Sequence, residues 1–380
     1  MVTENKPREQ SLDFIRGIAI ALVFLNHIEN WVAPEVETLN GALGWAYWKV
    51  KTFGSSGVDL FFILSGFLIS GLLFKELRQS GTINLKRFWL RRGMKIWPSY
   101  FFLLILLAIF GTTSWLDMSS STSFLKSILI HSLFLQNYTA NPNGPTWSLA
   151  VEEHFYIFIP ILLFLLARVS PIESPKFKKT LAQTASFIVL SCLALRVVHY
   201  SPQMDPDSYQ LTHLRIDALM LGVLLRFLVE TKSKLIDLIQ TNRPLASLIA
   251  LALVSPAAFY SRSNQFLFTA GFTLLPIGYA ILVILIYGGG PGLLPNNLPV
   301  RTVSFLGVHS YNIYLWHWFV PKFSPFGFET VSTFLFSGLQ GASSVIARGV
   351  LFIAISVIFR ILVTKLVEEP FLKMRNRWVP

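Results

Sequence analysis

The sequence predicts an all-α polytopic membrane protein with about ten transmembrane helices, and three observations carry that expectation. The 380-residue chain is 53% hydrophobic, and only 14% of it is charged, against roughly 25% in soluble globular proteins. Its 32 Lys and Arg residues, the source of a +12 net charge, come in short bursts between long apolar runs. That is the pattern of loops that orient membrane helices, not of a nucleic-acid groove, so no nucleic-acid partner is expected. The single cysteine, Cys192, allows no intramolecular disulfide and has no companions for a zinc or iron–sulfur site. No metal is expected.

The first apolar stretch runs from Ile15 to Val32. It is near bilayer length and lacks a small-x-small cleavage site, so it reads as a membrane helix and not a removed leader. Further runs of bilayer length fall at 57–74, 97–115, 147–167, 181–200, 212–229, 245–261, 266–287, 302–321 and 344–366. Phe124 to Tyr138 is shorter and contains Lys126 and His131. Counting it as a span would put the Lys176 and Lys232 clusters outside, against the positive-inside bias. A short re-entrant or surface helix near 124–138 is therefore expected, with ten spans, both termini cytoplasmic, and residues 1–380 forming one membrane domain with no linker, repeat or soluble appendage.

Ionisable side chains inside such spans cost roughly 2.5–3.5 kcal/mol each on insertion scales and need a partner, a wet cavity or a function. Arg16 and His27 are eleven residues apart, which returns them to nearly one helical face about 16 Å apart along the axis. They fit either a functional surface or an Arg16–Asp13 anchor plus a hydrogen-bonded histidine. Asp59 opens the second helix, where its charge suits the helix dipole, and Ser65-Gly66 in mid-helix suits close helix packing. Arg92 and Lys95, with Arg87 and Arg91 beside them, form a cationic patch. It fits a cytoplasmic topology signal or anionic lipid on one side, and capture of a polyphosphate cofactor on the other. Glu152 and Glu153 are adjacent, about 100° apart on a helix, so one of the two is expected to face the bundle interior. Structural pairing is expected of Arg215 and Asp217, and packing with a hydrogen bond of His317 between Trp316 and Trp318.

Seven stretches in order resemble the acyltransferase-3 family of integral membrane O-acyltransferases: Asp13 to His27, Asp59 to Ser70, Arg91 to Tyr100, Trp147 to Tyr156, Arg215 to Gly222, Leu306 to His317 and Val367 to Phe371. The resemblance covers nearly the whole chain. It implies transfer of an acyl group, commonly acetyl, from cytoplasmic acyl-CoA (acetyl-CoA) to a hydroxyl of a glycan or related acceptor. The host would be a bacterial inner membrane, and the acceptor stays open: lipopolysaccharide, exopolysaccharide, peptidoglycan, an oligosaccharide signal or an antibiotic would all fit. The family's Arg, ten residues, His pattern falls on Arg16 and His27, and its Arg-x-x-Arg pattern on Arg92 and Lys95. Lys95 departs from it, keeping the charge but losing the forked geometry. The Trp-Ser-Leu-x-x-Glu pattern falls on Glu152, and the chain resembles members that stand alone without a C-terminal soluble domain.

Attack of an alcohol on a thioester needs a base at near-neutral pH, a task imidazole suits. His27 is thus expected as base or acyl carrier, Arg16 as steering or oxyanion-stabilising charge, and Arg92, Lys95 and Arg91 as donor-phosphate ligands. Glu152 is expected to orient the acceptor or relay a proton. A proton-coupled secondary transporter, or a glycan-lipid flippase without acyl chemistry, is the alternative that intramembrane Arg, His and Glu also describe. Nothing in the sequence fixes an oligomeric state.

Overall fold

The computed structural model describes residues 7–27, 41–110, 121–139, 144–289, 293–319, 328–339 and 341–378. Among them every regular element is helical and none is a strand, as a chain in hydrocarbon requires when each segment must satisfy its own backbone. Six helices are long and apolar enough to cross a membrane: Gly41–Ser80, Leu85–Ile109, Thr146–Val169, Pro175–His199, Leu267–Tyr287 and Ala342–Trp378. The pair Lys234–Thr241 and Arg243–Phe259, bent by 99°, makes a seventh if it counts as one span. The protein is an integral membrane protein.

The expected ten spans are not met by full-length apolar helices among the described residues, and the three shortfalls have visible causes. Helix α1 (Pro7–His27) carries Arg8, Glu9, Asp13 and Arg16 in its first ten residues, and 28–32 lie outside the described residues. The segment expected at 212–229 yields a helix of only 15 residues, Ile216–Glu230, because the chain before it turns through a 3-10 helix at Thr212–Leu214. The segment at 302–321 is broken at His309 into Leu298–Val308 and Ser310–Trp316. Hydropathy counts apolar residues and does not show where the helix is continuous. At 124–138 the chain forms a helix of 12 residues, Ser121–Ser132, then a 3-10 turn at Gln136–Tyr138. About 18 Å of helix falls well short of the roughly 30 Å hydrocarbon core.

Two glycine crossings set the architecture. Helix α2 (Gly57–Ser80) meets α3 (Ile216–Glu230) so closely that a Cβ on Gly66 would lie 2.0 Å from the Leu219 carbonyl oxygen, and one on Gly222 would lie 2.3 Å from that of Ile63. Helix α1 meets α4 (Leu298–Val308) in the same way, with Gly17 against the Val303 carbonyl and Gly307 against that of Asp13. Small residues permit this approach, and dispersion over the touching backbones rewards it. Gly66 thus has the packing role expected of it.

The expected structural pairing of Arg215 and Asp217 holds, but each finds its partner on another helix. Arg215 bonds Asp59, and Asp217 accepts from Arg196 at 2.7 Å. Arg196, on the helix Pro175–His199 and fully buried, also donates to the carbonyls of Leu214 (2.6 Å) and Thr269 (3.1 Å) and to the Thr273 hydroxyl. These bonds tie three helices together where no water can substitute. Asp59 stands in the first turn of α2, as expected, and is in addition a buried ion-pair partner.

Candidate active site

Two cavities flank the first half of α2. The larger, about 490 Å³, falls in the usual size range of small-molecule sites, roughly 300–1,000 Å³. Its inner wall is apolar, with Val58, Phe61, Phe62, Leu64 and Leu149, and around this stand Arg16, Arg92, Lys95, Glu152, Arg360 and Arg375. The smaller cavity, about 220 Å³, holds His27 with Asn26, Trp147, Asp207, Gln210 and Arg262. Val58 and Tyr314 line both. Tyr314 is held between them: its hydroxyl donates to the Pro145 carbonyl at 2.8 Å and lies 2.6 Å from the Ser148 hydroxyl.

Each expected site residue now has a place. Arg16 and His27 share α1 but not a surface: Arg16 faces the larger cavity, bonded to Asp13 at 3.1 Å, and His27 faces the smaller. Arg92 and Lys95 both line the larger cavity, Lys95 from an exposed position, as expected of residues three apart on one helix. Arg91 is half-buried and lies outside its lining. Glu152 lines the larger cavity too, so it sits with Arg16 and Arg92 and apart from His27.

The polar centre of the larger cavity is organised by a residue that the sequence reading left without a role. The Tyr156 hydroxyl donates to Glu152 at 2.7 Å, accepts from Arg92 at 2.5 Å and lies 2.5 Å from the Ser65 hydroxyl. The Arg92 guanidinium also lies over the Tyr156 ring, 4.2 Å from its centre. Its Nε–H is buried without an acceptor among the described residues, so the guanidinium retains a donor for an anionic ligand. Tyr156 stands four residues after Glu152, the spacing that shares a helix face, and that was the available signal. Ser65 proves polar lining where packing had been expected. Asn312 and Glu368, bonded to each other at 2.5 Å, add further polar wall.

Glu153 corrects one expectation. Both carboxylates of the pair face protein, since Glu153 is 7% exposed and accepts from the Trp97 indole at 3.1 Å. The helix Thr146–Val169 is covered on more than one side, so neighbours 100° apart both find partners.

In the smaller cavity His27 is half-buried. Its Nδ1 lies 2.9 Å from Nε2 of His317, and Nδ1 of His317 lies 2.5 Å from the Tyr314 carbonyl oxygen. His317 is completely buried, as its expected packing role requires, yet it also reaches the candidate base. Gln210 is 4% exposed, donates to Asp207 at 2.8 Å and keeps a buried Oε1 without a donor among the described residues. Arg262 donates to the Tyr209 hydroxyl (2.7 Å) and the Ser55 carbonyl (2.9 Å). No group of three or more His, Cys, Asp or Glu residues suited to a metal occurs among the described residues.

The sequence model of the acyltransferase domain family (Acyl_transf_3) matches residues 9–365. The chain belongs to this family. It is 26% identical over 341 residues to a protein named "Putative O-acetyltransferase SACOL0978" from Staphylococcus aureus (strain COL), which covers 82% of this chain and 50% of that one. It is 27% identical over 335 residues to O-acetyltransferase OatA of S. aureus (strain NCTC 8325 / PS 47), covering 81% and 49%. The chain thus spans about half the length of these relatives. No solved structure matches it.

Proposed function

We propose that the protein is a membrane O-acyltransferase, specifically an O-acetyltransferase, moving an acyl group from cytoplasmic acyl-CoA to a hydroxyl of a cell-surface glycan or related acceptor. The observation that carries this reading is the shared wall. A cationic cavity and a histidine-bearing cavity meet at Val58 and Tyr314, so a thioester entering one and an alcohol entering the other would approach across a single layer of side chains. The names of the staphylococcal relatives, O-acetyltransferases, point the same way.

In this reading Arg92 and Lys95 hold the donor phosphates, Arg91 adds charge beside the mouth, and Arg16 steers the anion or supports developing oxyanion charge. His27 takes the proton of the acceptor hydroxyl or carries the acyl group transiently. Because Glu152 lies on the donor side, bonded to Tyr156, it fits proton relay or positioning of Arg92 better than acceptor binding. On the other side the buried Gln210 Oε1, with Asp207 and Asn26 near it, offers acceptors to a hydroxyl-rich ligand. The host membrane would be a bacterial inner membrane, with both termini in the cytoplasm.

The test pairs two measurements. Purified protein should bind labelled acetyl-CoA, and Arg92→Ala should weaken that binding. Mass spectrometry of the envelope polysaccharide should show acetyl groups in the parent strain that a deletion strain lacks. A transporter or flippase would show no Arg92-dependent donor binding and would leave acetylation unchanged.

A further inference from the structure

We infer that His317 is a positioning residue for His27, fixing which ring nitrogen of His27 serves as the base. The inference rests on the acyl-transfer reading and names a residue that this reading does not require.

The hydrogen bonds determine the proton positions in turn. The Tyr314 carbonyl oxygen can only accept, so Nδ1 of His317, 2.5 Å away, carries the hydrogen. A neutral imidazole has one N–H, and a ring with no exposed surface pays a large desolvation penalty for a second. Nε2 of His317 is therefore an acceptor. Nδ1 of His27, 2.9 Å from it, is then the donor of that bond, while the His27 ring also hydrogen-bonds the Val23 backbone, and we assign the lone pair to Nε2 of His27. Edge contacts hold the arrangement: the His317 ring meets Phe24 and Phe352 at 87° and 75°, and Trp318 meets the His27 ring at 73°.

The chain from the Tyr314 carbonyl through His317 to His27 parallels the carboxylate–histidine pairing of hydrolases, in which the orienting group fixes the tautomer and supports the imidazolium that forms. Here the orienting group is a neutral imidazole in place of a carboxylate. The proton balance is closed. The acceptor hydroxyl gives its proton to Nε2 of His27 as its oxygen bonds the acyl carbon. The carbon–sulfur bond breaks, and the same proton passes to the departing thiolate, releasing ester and free thiol. Throughout, the Nδ1–H of His27 donates to Nε2 of His317, and that bond strengthens while His27 is charged.

A side chain that only fills space at position 317 would not distinguish glutamine from leucine, which are close in volume. Gln can donate to the Tyr314 carbonyl and present Oε1 to His27 at nearly the spacing of the two imidazole nitrogens. Asn can keep the carbonyl bond but is one methylene too short to reach His27, and Leu offers no acceptor at all. The experiment measures acetyl-CoA-dependent acetylation of the native envelope acceptor in membranes from a deletion strain carrying wild type, His27→Ala, His317→Gln, His317→Asn or His317→Leu. Each preparation is also assayed for protein level and acetyl-CoA binding. We expect His317→Gln to keep kcat within about fivefold of wild type, and His317→Asn and His317→Leu each to lose at least ~10-fold, toward the range of general acid–base contributions, all three with unchanged donor binding. Equal activity of Gln and whichever of Asn or Leu accumulates overturns the inference, as does an inactive Gln variant present at normal level. Wild-type activity in His27→Ala instead overturns the catalytic reading beneath it, so the two failures are separable.

Discussion

Tyr156 joins three polar groups of the larger cavity through one hydroxyl, which contacts Arg92 and Ser65 at 2.5 Å and Glu152 at 2.7 Å. Tyr156→Phe keeps the ring beneath the guanidinium but removes these bonds. It should raise the acetyl-CoA KM by roughly tenfold, the lower end of what a hydrogen bond to a charged group contributes (about 1.5 kcal/mol). Arg92→Ala should raise it further, while Lys95→Arg, which restores a fork at an exposed position, should be tolerated. Steady-state kinetics on membranes carrying each variant check all three, and an unchanged KM in Arg92→Ala would reduce this patch to a topology signal. At this scale the sequence made the pairing of Arg92 with Lys95 legible through their short spacing, whereas Glu152 with Tyr156 one turn on went unread although the spacing was there. What it could not reveal was pairing across the chain. His27 and His317 are 290 residues apart, and nothing in the local pattern around either names the other.

At the scale of the helix, the chain relies on close contacts and buried ion pairs. Gly222→Val would drive its side chain into the Ile63 carbonyl and the Gly66 backbone, and overpacking of this kind typically costs 1–3 kcal/mol; a lower melting temperature, with loss of folded protein at 37 °C, is expected. Asp217→Asn should be worse, near the 3–5 kcal/mol lost when one partner of a buried pair is removed, because Arg196 would keep its charge with no exposed surface. Thermal unfolding in detergent measures both. Asp207, in the 3-10 segment Pro206–Gln210 outside the spanning helices, has its carboxyl raised above the usual range by burial, then by the charge of Asp205, against an opposing bond from Gln210. The folded state therefore holds that proton more tightly than the unfolded chain. The associated stability is complete below the ordinary aspartate value and is lost as pH rises through the raised folded-state value. Asp207→Asn should remove that slope from the melting temperature's acid-side pH profile. Helix existence was legible from the sequence almost throughout, but helix continuity was not. The break at His309 interrupts one expected run, whereas the bend between Thr241 and Arg243 falls in the exposed polar stretch just before another.

Across the whole molecule the two cavities share walls from α1, α2 and the helix Thr146–Val169 and differ in the elements that complete them. Arg375, from the helix Glu369–Trp378, lines the larger cavity together with Arg92. Asp207, from the loop after the helix Pro175–His199, lines the histidine cavity. If the donor is cytoplasmic, the C-terminus must be as well. In a protein whose buried Cys192 is replaced by Ser, Asn376→Cys should react only with membrane-permeant thiol reagents and Asp205→Cys with impermeant ones. Impermeant labelling at position 376 would invert this assignment. The position at Ser119, which also suits an outward test, lies outside the described residues. The central claim is that His27 performs proton transfer or acyl carriage at the wall between donor and acceptor. The most direct measurement is acyl transfer by well-expressed His27→Gln protein in membranes, with acetyl-CoA binding determined on the same preparation. Donor binding should be intact, because Arg92 and Lys95 belong to the other cavity, and turnover should fall by at least ~10²-fold; turnover within about threefold of wild type, far above that loss, would contradict the claim.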